Sequence, residues 1–266
     1  MELCSIASSS SGNCIYIGTQ ATHLLVDVGI SGKRVESGLN SIGLTCRDLD
    51  GILITHEHTD HVSGLGVLSR KYQLPIYATP GTIAVLKRSS SLGVIEEDLF
   101  VPIREDDSFI LKDMVVNPMR ISHDAAQPVA YRFRHGKYKA AIATDMGNFN
   151  EYTIECLKGM DLLFLEANHD VNMLQVGSYP YALKQRILSD RGHLSNVRSG
   201  QLLDHLVHDG LQAVILGHLS KENNLPELAY ETVRVELAMG QNRGRLEEFP
   251  IMVARGEEVS SKICIA

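Results

Sequence analysis

The sequence lacks any run of the ~20 uninterrupted apolar residues that a membrane span requires. No basic stretch precedes an apolar one near Met1, so a secretory leader is not expected and the reading is of a cytoplasmic protein. Its five cysteines (Cys4, Cys14, Cys46, Cys156 and Cys264) are odd in number and form no CxxC pair. That argues against a disulfide framework and a zinc knuckle, and suits reduced thiols acting as small apolar filler. Low-complexity tracts, long linkers and repeats are missing too, so residues 1–266 read as a single domain. Positive charge is scarce. The formal net charge of −7 argues against a generic basic nucleic-acid binder, although bound divalent cations would offset part of it locally.

The hydrophobic content is 44%, enough for a substantial core. Short apolar runs predict strands at Leu3–Ala7, Cys14–Gly18, His23–Asp27, Gly51–Thr55, Ile76–Ala78, Phe109–Leu111 and Met114–Ile121. More follow at Val129–Phe133, Ala140–Thr144, Leu162–Glu166 and Ala213–Leu216. Ser8–Ser11 with Gly12 and Asn13 reads as a tight loop between the first two. Helical spacing marks Lys33–Ile42, Val62–Tyr72, Gly81–Arg88, Glu151–Lys158, Tyr181–Ser189, Ser195–His208 and Leu228–Met239. Strands dominate early and then alternate with helices. That pattern predicts a layered α/β domain without fixing its topology.

The most informative stretch is Thr55-His56-Glu57-His58-Thr59-Asp60-His61. Two histidines at i and i+2 on extended backbone point to one side, and Asp60 and His61, at the turn into a helix, reach a second point nearby. Imidazole and carboxylate suit Zn²⁺, Mn²⁺ or Fe. The HExxH helix of zincins is excluded, because it needs histidine where Asp60 stands.

HxHxDH after a short apolar strand resembles the signature of the metallo-β-lactamase superfamily, and companion motifs follow in the same order. Asp27 resembles the family's supporting aspartate, and His123 in RISHD the third ligand of a first metal. Asp145 in IATDMG resembles the carboxylate that bridges two metals, and His218 in VILGHLS the last ligand of the second. The resemblance implies an αββα four-layer sandwich holding two divalent metal ions (Zn or Mn, with Fe as an option). His56, His58, His123 and Asp145 would bind one; Asp60, His61, Asp145 and His218 would bind the other. Asp60 is also counted among the catalytic residues. Taken singly, each has a plainer reading: Asp27 and Asp145 as turn residues, His123 as a surface residue.

Three further segments narrow the branch. LFLEANHD resembles the segment of ribonuclease Z-like enzymes in which a glutamate, here Glu166, steadies a catalytic histidine. GHLSN resembles the paired loop whose histidine, here His193, gives a proton to the departing oxygen. His169 lies near this pair. With SSSSGNC near the start, the set is similar to the YycJ (WalJ) family, which implies a 5′-to-3′ exonuclease on double-stranded DNA. The Ser-Gly-Asn turn could present N–H groups and hydroxyls to a phosphate.

The stretch from Asp145 to His218 is too short for the inserted domain of β-CASP nucleases, and no long glycine- and basic-rich tRNA-gripping arm is present. Two basic groups are candidates for DNA contact: Arg132, Arg134, Lys137 and Lys139 on one hairpin, and Lys184, Arg186, Arg191 and Arg198 flanking the proton donor. Solvated surface charge is the other reading of both. The rival functions are a small-molecule hydrolase (a cyclic phosphodiesterase or a glyoxalase II-like thioesterase) and a scaffold protein with a vestigial metal site.

Overall fold

The computed structural model describes residues 1–245 and 249–265. Strands β1 (Glu2–Ser9), β2 (Gly12–Gly18) and β3 (His23–Val26) run antiparallel in succession. After helix α1 (Gly32–Ser41), β4 (Gly51–Leu53) lies parallel to β3. Helices α2 (Thr59–Val62) and α3 (Leu65–Tyr72) lead to β5 (Ile76–Ala78), and α4 (Pro80–Leu86) leads to β6 (Phe100–Pro102), both added in parallel.

A second sheet begins with an antiparallel meander of β7 (Phe109–Leu111), β8 (Met114–Arg120), β9 (Val129–His135) and β10 (Tyr138–Ala143). Helix α5 (Glu151–Leu157) crosses to β11 (Leu162–Glu166), parallel to β10. Helices α6 (Val171–Val176), α7 (Tyr181–Ile187) and α8 (Asn196–Leu206) precede β12 (Ala213–Gly217), and α9 (Pro226–Met239) precedes β13 (Ile251–Val253), both strands again parallel. The chain then returns to the first sheet as β14 (Ile263–Cys264), beside β1. Among the described residues the sheet orders are β14-β1-β2-β3-β4-β5-β6 and β13-β12-β11-β10-β9-β8-β7.

Alternation along the strands builds the layers. In the second sheet Leu162, Phe164, Ala140, Ile142, Ala213 and Ile215 face a core shared with Leu3, Ile15, Leu24 and Val26 of the first sheet. Their neighbours Leu163, Leu165, Ala141, Ala143, Val214 and Leu216 face outward onto Leu157, Leu202, Leu206, Val233 and Leu237 of α5, α8 and α9. The first sheet does the same: Leu25 and Ile52 pack on Val35, Leu39, Leu65 and Leu68. A period of two therefore creates two buried faces per sheet, and the product is helix, sheet, sheet, helix. Each fully buried Leu, Ile or Phe contributes about 1.5–3 kcal/mol relative to exposure.

Two expectations need correction. Val62–Tyr72 is not one helix: α2 ends at Val62 and α3 starts at Leu65. The Val28 N–H bonds the His61 carbonyl at 2.8 Å, and the Gly64 N–H bonds the Val28 carbonyl at 2.9 Å, so the β3–α1 loop wedges the helix apart. A Cβ on Gly64 would stand 2.0 Å from the Ile30 carbonyl, and one on Gly29 would stand 1.6 Å from the Asp60 carbonyl. Nor is Ser8–Ser11 all loop. Ser8 and Ser9 belong to β1, which leaves Ser10 and Ser11 as the turn.

All five cysteines are free thiols; Cys4, Cys14 and Cys46 are buried in the core, whereas Cys264 is exposed. Among the described residues, no helix is long and apolar enough to cross a membrane.

Candidate metal centre

The parallel strands β3, β4, β10, β11 and β12 deliver their carboxyl ends to one edge of the sandwich, where such sheets form sites. Three residues leave these strands through left-handed backbone: Asp27 (φ 61°), Asp145 (φ 59°) and His218 (φ 56°). Asp and His tolerate that region better than most residues, and such strain collects at functional positions.

Asp27 sits under the histidine cluster. Its Oδ1 accepts from the Thr55 N–H at 2.8 Å, and its Oδ2 accepts from Thr55 Oγ1 and His61 Nδ1, both at 2.8 Å. Thr55 Oγ1, its proton committed to Asp27, in turn faces His56 Nδ1 at 3.0 Å. His123 Nδ1 donates to the Gly192 carbonyl at 3.0 Å, and His218 Nδ1 donates to Glu166 Oε1 at 2.9 Å. Each of these four imidazoles has Nδ1 tied to an oxygen, which orients the ring and turns Nε2 toward the centre.

Those nitrogens converge. His58 Nδ1 and His123 Nε2 are 3.2 Å apart, and His61 Nε2 is 3.3 Å from Asp145 Oδ2 and 3.4 Å from Asp60 Oδ2. His218 Nε2 is 3.4 Å from Asp60 Oδ2. A tetrahedral cation with bonds of about 2.0–2.1 Å holds its ligands about 3.3–3.4 Å apart, so these are ligand spacings. His56 Nε2 and Asp145 Oδ2 are buried without a hydrogen-bond partner, a costly arrangement unless a cation lies between them. Among the described residues the groupings able to hold an ion are His56/His58/His123, His56/His61/Asp145 and Asp60/His61/His218, with Asp145/Glu166/His193/His218 alongside. All seven residues expected as ligands are thus brought together, with Asp145 between the two clusters.

The electrostatics differ across the centre. Burial, followed by the neighbouring imidazoles, holds His56 well below the ordinary histidine range. Burial also lowers His123, so both are neutral donors. At His61 and His218 burial opposes the charged form, but the nearby carboxylates outweigh it. His61 is raised well above its usual value and His218 is pushed up to about 10. Burial likewise disfavours ionised Asp60, Asp145 and Glu166, yet the adjacent histidines hold all three below the usual range.

Glu166, fully buried at the end of β11, receives four donors. Oε2 accepts the Met146 N–H at 2.8 Å and the Leu194 N–H at 3.1 Å; Oε1 accepts His193 Nδ1 at 2.8 Å and His218 Nδ1 at 2.9 Å. The sequence suggested the His193 pairing, but not that the same oxygen also orients His218. The open side of the centre is formed by His58 (29% side-chain exposure), Asp60 (26%) and His193 (15%).

Other residues carry weight that the motifs did not announce. Thr55 links Asp27 to His56, Asp124 takes the Arg186 guanidinium, and Glu57 Oε1 accepts the Ala126 N–H at 2.7 Å. Thr55 and Asp124 each adjoin a motif histidine in sequence, the one local signal available. His169 is buried, with Nε2 unpartnered and its pKa pushed down to about 4 by burial, and it donates no bond to the His193–Glu166 pair.

The basic set beside His193 is already occupied. Arg186 forks onto Asp124, and Arg191 places Nε and Nη2 on the His123 carbonyl at 3.2 and 3.1 Å. Arg198 reaches Asn148 Oδ1 at 2.7 Å, and Lys184 bonds the Gln175 and Gly177 carbonyls. In the hairpin set, Arg132 is bound to Asn117 and the Cys156 carbonyl. The serine turn is also engaged: the Ser10 N–H bonds the Leu219 carbonyl, the Ser11 N–H bonds Ser9 Oγ, and Asn13 Nδ2 bonds the Ser9 carbonyl.

A family profile described as β-lactamase superfamily domain matches residues 22–218. The chain is 40% identical over 228 residues to exodeoxyribonuclease YycJ of Bacillus anthracis, covering 86% of each. It belongs to the metallo-β-lactamase superfamily, in the YycJ/WalJ-like family. Exodeoxyribonuclease WalJ of Streptococcus pneumoniae is 41% identical over 233 residues, covering 88% of this chain and 87% of that one. Zn²⁺-bound PqqB from Methylobacterium extorquens superposes with a TM-score of 0.71 over 100% of both chains at 16% identity, a likeness of fold. The metallo-β-lactamase αββα sandwich is therefore this chain's fold, and its histidine–carboxylate edge is a divalent-metal site.

Proposed function

We propose that this metal-dependent hydrolase is a single-domain DNA exonuclease that cleaves phosphodiester bonds. The observation that carries the reading is His193, clamped through Nδ1 to the buried Glu166 at 2.8 Å and partly open at the rim of the donor set. The 40–41% identity to exodeoxyribonucleases over most of the chain supports DNA as substrate. The family resemblance supports 5′-to-3′ digestion of duplex DNA.

Two cations suit the two donor clusters that share Asp145, His56/His58/His123 binding one and Asp60/His61/His218 the other. Zinc and manganese both fit N/O ligands, and iron is the further option. When bound, such a pair supplies an activated water and neutralises the non-bridging phosphate oxygens. The chain's own residues do the rest. Asp27 and Thr55 fix His61 and His56, Glu166 fixes His218, and Asp60 stands at the open side. With Nδ1 committed to Glu166, His193 presents Nε2 toward the cleft; carrying protons on both nitrogens, it delivers the one on Nε2 to the departing 3′ oxygen and is left neutral. A thioester's leaving group needs that proton far less. Free thiols throughout suit a cytoplasmic setting.

The test offers metal-loaded protein end-labelled duplex DNA, single strands, RNA, a chromogenic phosphodiester and a thioester, with an Asp60→Ala/His61→Ala control. DNA is degraded with Mn²⁺ present, and the control is inert. Activity confined to thioesters, or DNA loss that survives the double substitution, overturns the reading.

A further inference from the structure

On the His218 side of the centre lies a cavity of about 530 Å³, walled by the β1–β2 turn and by the segments that follow β12 and β13. Its wall abuts the backbone at His218. The His218 N–H bonds Ser8 Oγ at 2.8 Å, and Ser9 pairs with Leu219 in a bridge between the turn and the residue after His218. Arg34, Lys221 and Arg255 line it, together with the hydroxyl-bearing Ser9 and Ser11.

These cations are held loosely, unlike those beside His193. Arg34 reaches the Gly256 carbonyl at 3.4 Å, Lys221 stands 3.8 Å from Glu257, and Arg255 is 3.1 Å from Glu258. Both ion pairs are more than 60% exposed on each side, where such pairs contribute little and exchange readily. Glu227 and Glu257 also line the cavity and Glu258 stands beside Arg255, so a phosphate there takes Lys221 and Arg255 from exposed carboxylates that exchange readily. By contrast, Arg186 and Arg191 would have to abandon bonds to Asp124 and the His123 carbonyl to take a phosphate. Among the described residues no aromatic ring lines the cavity, so bases would find nothing to stack on.

We propose that this cavity is a phosphate-backbone subsite, seating the stretch of nucleic-acid strand next to the bond held at the metal centre. The inference rests on the DNA-exonuclease reading and extends it. Two guanidinium forks and one ammonium recognise consecutive phosphates, and the serine hydroxyls add neutral donors. Binding there is blind to sequence, because phosphates position a strand and base edges specify it.

The experiment titrates a fluorescent, phosphorothioate-protected duplex DNA against the full-length, metal-loaded protein by anisotropy across a salt series. Arg34→Ala/Lys221→Ala/Arg255→Ala lowers the slope of log affinity against log salt by about 0.9 per lost contact, about 2.7 in all. Arg34→Lys/Arg255→Lys keeps the wild-type slope, which separates charge from shape. A triple-alanine variant with the wild-type slope overturns the subsite. Digestion of unprotected DNA by the unaltered protein tests the nuclease reading separately: hydrolysis with no slope change sinks only the cavity, and a slope change without hydrolysis sinks only the nuclease.

Discussion

Glu166 is the residue on which two functions meet, since one carboxylate oxygen holds both His193 and His218. Glu166→Gln swaps an acceptor for an amide that must turn its N–H₂ toward two of the four donors. Metal affinity then falls about 10–100-fold, read by titration of the metal-free protein. Turnover of DNA falls further than metal loss explains. His193→Ala separates the roles: bound metal stays at the wild-type level in native mass spectra, while kcat on DNA drops about 10²–10⁴-fold. The loss is smaller on a nitrophenyl phosphodiester, whose leaving group needs no acid.

Protonation adds a signed expectation at the same scale. His61 is raised well above its usual value and His218 to about 10, so in metal-free protein at neutral pH both carry protons that a cation must displace. Metal binding therefore releases protons and weakens as pH falls. Calorimetry in buffers of different ionisation enthalpy checks this, and heats independent of buffer would refute it. The candidate ligands themselves were legible, because clustered imidazoles and carboxylates placed after strands have few other uses. The shared duty of Glu166 and the bracing by Thr55 were not. Nothing local shows that one oxygen faces two imidazoles 27 and 52 residues further along the sequence once β11, α8 and β12 have packed.

At the scale of elements, α2 is a single turn carrying Asp60 and His61, held from behind by the loop after β3. A methyl group on Gly29 would collide with the Asp60 carbonyl, so Gly29→Ala must push α2 outward. Overpacking of this kind costs about 1–3 kcal/mol and shows as a lower Tm. Metal affinity falls with it, whereas Gly43→Ala, with nothing within 4 Å but φ at 81°, affects stability alone. The break between α2 and α3 was invisible in the sequence, since Val62, Leu65 and Leu68 keep a helical spacing across it. Edge strands β6, β13 and β14 are two or three residues long, too short for alternation to register. Helix α6 spans six residues and begins at a cap supplied by Asp170, a signal easily taken for a turn. The long central strands were legible because both of their faces are buried.

For the whole molecule, the centre draws on both halves of the sandwich. His56, His58, Asp60 and His61 follow strands of the first sheet; His123, Asp145 and His218 follow strands of the second. A chelator should lower Tm markedly: saturation at about 1,000 times Kd is worth about 4.1 kcal/mol to the folded state. Calorimetric scans with and without EDTA measure this, and superimposable scans would show that the edge holds no cation.

Because neither sheet alone owns a full set of donors, the ion can be captured only after the two have docked. It then behaves as a rivet set last. Such a fastening leaves the folding rate untouched and slows the opening of the sandwich, giving a long-lived native state whose lifetime is governed by the escape of metal.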